Sequence, residues 1–136
     1  MKEAAEVPSP EFDVRRFGAA GDGRTLDTAA INRAIDAVRA VVGGTVVFPA
    51  GDYLSHSVRL CSHLTLRLGA GARLIAADPP PPGQPGGYDA PEEGPPNVFQ
   101  DYGHSRFRNS LIWGEDLEHV TLCGPGVIFG RGLSRG

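Results

Sequence analysis

The sequence predicts an all-β solenoid opened by one amphipathic helix, and three observations carry that prediction. One segment repeats its apolar residues at helical spacing. It is followed by very short apolar runs separated by glycine corners, and one such run–corner–run unit occurs twice. With 136 residues, 40% of them hydrophobic, the chain has the length and composition of one globular domain.

Residues Phe12, Val14 and Phe17 alternate loosely and run into Gly18-Ala-Ala-Gly21-Asp22-Gly23, so a short strand entering a tight loop is expected. From Asp27 the period changes. Ile31, Ala34, Ile35, Val38 and Val42 fall on one face, with Arg33, Asp36 and Arg39 on the other. Thr25 or Asp27 is expected to cap this helix by accepting a hydrogen bond from an orphan backbone N–H, and Gly43-Gly44 to end it in a left-handed turn. Thr45 to Phe48, Asp52 to Leu54 and Val58 to Leu60 then read as strands, with Pro49-Ala50-Gly51 as a corner.

The repeat organises the rest. Leu64-Thr65-Leu66, Gly69-Ala70-Gly71 and Leu74-Ile75 recur as Val120-Thr121-Leu122, Gly124-Pro125-Gly126 and Val127-Ile128. Stacking like residues above like is how a β-helix coil buries its interior. Two copies alone leave a β-sandwich as an alternative. Superposing the units sets Cys123 on Arg67, whereas Cys61 lies three residues before Leu64. That offset is about 20 Å of extended chain against a disulfide reach of roughly 7 Å, so both thiols are expected to be free.

Between the units, residues 78–97 hold eight of the 12 prolines, which excludes a packed strand or helix. A loop here is either a spacer or the wall of a binding groove. Residues 1–10 read as a disordered N-terminal tail and 11–136 as one unit.

A net charge of −3 with mixed signs gives neither a basic stripe for nucleic acid nor a polybasic cluster for lipid, so neither partner is expected. Met1 to Pro10 carries no apolar core of signal-peptide length, and as it stands the chain would remain in the cytoplasm. His56, His63, His104 and His119 lack short-range ligand spacing, so neither metal nor cofactor is called for. His63 and His119 occupy matching positions in the two units and should stack as coil neighbours.

The stretch Phe17-Gly-Ala-Ala-Gly-Asp-Gly-Arg-Thr-Leu-Asp-Thr-Ala-Ala-Ile-Asn-Arg-Ala-Ile-Asp36 resembles the opening motif of the polygalacturonase-like glycoside hydrolases, family 28, and of the wider pectate-lyase-like β-helix superfamily. The resemblance continues through Gly43-Gly-Thr-Val-Val-Phe-Pro-Ala-Gly-Asp-Tyr-Leu54, the two repeat units and Ser110-Leu-Ile-Trp113. It departs at Cys61, where the family often has a basic residue, and at Phe129, where an Asp is common. The resemblance implies a right-handed single-stranded parallel β-helix whose amphipathic helix caps the N-terminal end of the solenoid.

The resemblance further implies inverting hydrolysis of pectic polysaccharide by a secreted or periplasmic enzyme, with an acidic polysaccharide as partner. The acids of that family come from Asn-Thr-Asp, Asp-Asp, Gly-His-Gly and Arg-Ile-Lys blocks, and none of these occurs in the chain. The expectation is therefore no catalytic residue here. Asp22 and Asp27 are read as turn and helix-start carboxylates with structural roles. Tyr102, His104, Arg106 and Arg108 are candidate substrate-binding residues, able to stack on sugar rings and to fork onto carboxylates. A non-catalytic solenoid module of the tail-fibre or adhesin kind, and a related lyase or epimerase, are the rival functions. A chain ending at Gly136 would expose strand edges, from which self-association through an uncapped C-terminal coil is expected.

Overall fold

The computed structural model describes residues 10–78, 80, 87–88 and 111–130. Strand β1 (Glu11–Asp13) leads into a 3-10 turn at Val14–Phe17, then β2 (Asp22–Leu26) and helix α1 (Thr28–Val41). Three pairs follow: β3 (Gly44–Phe48) and β4 (Gly51–Ser55), β6 (Leu64–Leu68) and β7 (Ala72–Ala76), β9 (Val120–Cys123) and β10 (Val127–Phe129). Two-residue strands β5 (Val58–Arg59) and β8 (Ile112–Trp113) complete the first two coils.

Every strand pairs in parallel with its counterpart one coil away, giving sheets in the order β1-β3-β6-β9, β2-β4-β7-β10 and β5-β8. This is a parallel β-helix. Its register stacks Thr45, Thr65 and Thr121 in one column and Val46, Leu66 and Leu122 in the next. Alternation along each strand sends Val46, Phe48, Leu64, Leu66, Tyr53 and Leu74 inward, where all are fully buried. The Phe48 and Tyr53 rings meet edge to face at 5.4 Å, and the Tyr53 hydroxyl donates to the Pro49 carbonyl at 2.6 Å.

The helix lays Ile31, Ala34, Ile35 and Val38 against the first coil as the spacing predicts. Val42 does not belong to that face. It is exposed and holds the left-handed position at the helix C-terminus, with φ 57°, a costly conformation for a β-branched residue. The N-terminus also differs from expectation. Asp27 stands at the cap position without a capping hydrogen bond from its side chain, and Thr25 sits in β2 with its hydroxyl donating to Asp22.

Two further corrections are local. The strand expected through Phe17 stops at Asp13, whose carboxylate accepts the Arg15 N–H at 2.8 Å and starts the 3-10 turn. The second repeat slips by one residue after its corner, so that Val127 and Ile128 pair with Arg73 and Leu74. Gly124, at φ 99°, crosses against Leu68 so closely that a Cβ would collide with its carbonyl oxygen. The Gly126 N–H donates to that same oxygen at 3.1 Å. The glycine pair thus cuts the corner short and shifts the strand after it.

Candidate functional site

The opening motif is organised by Asp27 and Arg15. Asp27 is 2% exposed, and its two carboxylate oxygens accept the Ala20 and Gly21 N–H groups at 2.8 and 3.0 Å. Its own N–H donates to Leu54, tying the start of α1 to β4. Arg15 reaches across the turn to donate to the Ala20 and Ala50 carbonyls, with its guanidinium 5.5 Å from the centroid of the Tyr53 ring. Gly21 leaves that path open, since a Cβ there would meet the Arg15 guanidinium at 2.7 Å. Asp22 closes a smaller loop by accepting the Thr25 and Arg24 N–H groups, and these bonds hold its carboxyl below the usual carboxylate range. Both carboxylates are thus engaged by backbone donors and the turn they shape.

A second polar cluster lies where the Pro-rich insertion leaves the solenoid. The corner Ser55-His56-Ser57 is buried and clamped to α1. Thr28 Oγ1 accepts the His56 N–H at 2.9 Å, while Asn32 donates to the Ser57 carbonyl and accepts the Arg59 N–H at 3.0 and 2.9 Å. His56 Nε2 lies 3.0 Å from the Asp78 carbonyl oxygen, and its ring meets Tyr88 edge to face at 4.8 Å. The Tyr88 hydroxyl donates to the Ala77 carbonyl at 2.7 Å, and burial pushes it up to about 12. These groups fix the root of the insertion against the coil. Sequence reasoning missed this cluster. Its one signal was Asn32, a polar residue set between Ile31 and Ile35 on the buried face of α1.

The four candidate sugar contacts, Tyr102, His104, Arg106 and Arg108, lie outside the described residues, as does His104 in its role among the histidines. The imidazoles of His63 and His119 stack with centroids 5.1 Å apart, as their matching positions predict. Both residues hold φ 60°, so the same left-handed turn recurs in successive coils. Among the described residues no cluster of three or more His, Cys, Asp or Glu could hold a metal ion. Cys61 is buried and Cys123 exposed, both free, and burial pushes the Cys61 thiol up. Cys123 stands beside Arg67 in register, as the repeat predicts. No helix among the described residues is long and apolar enough to cross a membrane.

Comparison with known proteins places this architecture. Residues 12–73 match the family model described as rhamnogalacturonase A/epimerase, pectate lyase-like. An exo-poly-α-D-galacturonosidase of Dickeya chrysanthemi is 32% identical over 91% of this chain, which spans 20% of that protein. A mannuronan C5-epimerase of Azotobacter vinelandii is 60% identical over 43 residues, 32% of this chain and 2% of that protein. The structure of the family 28 exopolygalacturonase of Yersinia enterocolitica superposes with a TM-score of 0.66 at 33% identity, covering 91% of this chain and 21% of that one. Over 91% of its length the chain is thus similar to the polygalacturonase-like proteins of glycoside hydrolase family 28, within the pectate-lyase-like β-helix proteins.

Proposed function

We propose that the chain is the opening part of a hydrolase that cleaves pectic polysaccharide with inversion, its catalytic acids lying on coils outside these 136 residues. The observation that carries this reading is the likeness to an exo-poly-α-D-galacturonosidase, which extends over 91% of the chain. Inversion requires one carboxylic acid to protonate the leaving oxygen and another group to activate water, about 6.5–9.5 Å away. Asp22 and Asp27 are given structural roles in this reading, because each accepts two backbone N–H hydrogen bonds within the opening turn. The four acid-bearing blocks of the family are absent from the sequence.

In this reading α1 caps the end of a right-handed solenoid, and the loop carrying Tyr102, His104, Arg106 and Arg108 meets the acidic sugar chain. His56 and Tyr88 would serve by holding the root of that loop. A polymeric pectic substrate, too large to enter the cytoplasm intact, accords with a secreted or periplasmic enzyme. The 60% identity to a mannuronan C5-epimerase favours a second reading, a lyase or epimerase acting on a uronate polymer, but it spans only 43 residues. A non-catalytic solenoid module is the third.

Release of reducing ends from polygalacturonate tests the first reading. The chain alone is expected to give no turnover, and turnover comparable to a complete enzyme would overturn the claim. Appearance of an ultraviolet-absorbing unsaturated product instead would establish β-elimination.

A further inference from the structure

An open groove of about 500 Å³ runs beside β1 and β3, lined by Glu11, Phe12, Asp13, Arg16, Phe17 and Val47. Its volume falls in the range of about 300–1,000 Å³ common for small-molecule sites, enough for a short stretch of sugar chain rather than a single ion. Phe12 and Phe17 are partly buried against the core, with ring centroids 6.2 Å apart, so their remaining faces give the groove a rigid apolar wall.

The charges in and around the groove are unevenly engaged. Glu11 pairs with Arg67 at 3.1 Å, and one oxygen of Asp13 accepts the Arg15 N–H at 2.8 Å. Arg15 points away and is held by the Ala20 and Ala50 carbonyls. Arg16 is exposed and makes neither an ion pair nor a side-chain hydrogen bond among the described residues. The groove therefore combines an available guanidinium, two carboxylates with acceptor capacity to spare, and an aromatic wall.

We propose that this groove binds a uronate residue of an acidic polysaccharide. Arg16 forks onto the sugar carboxylate, Asp13 and Glu11 accept hydrogen bonds from ring hydroxyls, and Phe12 and Phe17 face the apolar C–H side of the ring. A neutral sugar leaves Arg16 without a charged partner, and an inorganic anion such as phosphate offers no C–H face to Phe12 and Phe17. The assignment to a galacturonate rests on the pectic reading above, whereas the uronate chemistry rests on the groove alone.

The experiment is a titration of the 136-residue chain with trigalacturonate, trimannuronate and neutral galactotriose, followed by calorimetry and by the Phe ring and Arg side-chain NMR signals. Trigalacturonate is expected to shift the signals of Phe12, Phe17 and Arg16 and to bind at least about tenfold more tightly than galactotriose. Arg16→Gln should lose about tenfold in affinity and Arg16→Lys less, with thermal midpoints unchanged because the side chain is exposed. Arg24→Gln, an exposed arginine outside the groove, should bind as the parent does. Binding that survives Arg16→Gln undiminished, equal binding of galactotriose, or no uronate binding overturns the inference. Binding of trimannuronate at Arg16 without trigalacturonate would support the groove while counting against the pectic reading.

Discussion

Leu66 and Leu122 hold the same register position in successive coils, yet Leu66 is fully buried and Leu122 is 47% exposed. Leu74 and Ile128 repeat the contrast in the second sheet, with Leu74 fully buried and Ile128 43% exposed. The side chains are equivalent in chemistry and in coil position. What differs is their covering. Leu66 has Val46 on one side and Leu122 on the other, with α1 lying against the coil below. In a solenoid an apolar side chain is buried by its neighbours one coil away, so the repeat unit specifies the shape of a coil while stacking supplies its stability.

The largest expected effect follows directly. Leu66→Ala should cost about 2–5 kcal/mol in denaturant unfolding, and Leu122→Ala under about 1 kcal/mol. Equal losses would break the comparison. Next comes the buried carboxylate of the opening motif. Asp27→Ala orphans the Ala20 and Gly21 N–H groups and should cost about 1–3 kcal/mol. Asn32→Ala, which removes one hydrogen bond to the Ser57 carbonyl and one from the Arg59 N–H at the clamped corner, should cost a similar or smaller amount, read from the same unfolding curves.

Smaller effects depend on pH. The Tyr88 hydroxyl is raised from its ordinary value near 10 to about 12 in the fold, so its contribution is fully present below pH 10 and lost as pH rises through 12. Tyr88→Phe should therefore lower stability by about 1 kcal/mol at pH 8, with the gap closing between pH 10 and 12. At the other end of the scale Asp52 is lowered by its paired hydrogen bonds from Arg73, both 2.8 Å. Its contribution is present above the ordinary carboxylate value of 3.8 and is lost as pH falls below it, and Asp52→Asn should flatten that part of an acid titration slightly.

The parts of the fold legible in the sequence were those set by local period. The spacing of Ile31, Ala34, Ile35 and Val38 predicted the buried face of α1, and the two run–corner–run units predicted the stacking of β6 on β9 and of His63 on His119. What sequence reasoning missed was set by contacts distant in the chain. The Asp27 carboxylate turns back to Ala20 and Gly21 instead of capping its helix, a choice that depends on where β4 holds the Asp27 N–H. Strand β2 exists because β4 offers it a parallel edge, which no alternation in Asp22–Leu26 reveals. The one-residue slip at Val127 depends on Gly124 passing under Leu68. Tyr102, His104, Arg106 and Arg108 are sugar-binding candidates by side-chain chemistry alone, and they lie outside the described residues.

Backbone hydrogen exchange tests most directly whether stacking, rather than the repeat unit itself, stabilises the coils. Amides of Leu64–Leu68 and Ala72–Ala76, each covered by a coil on both sides, are predicted to exchange slowest, with free energies approaching that of global unfolding. Amides of Val120–Cys123 and Val127–Phe129 are predicted to exchange orders of magnitude faster, through opening of that coil alone. Equal protection in the two sets would contradict the account.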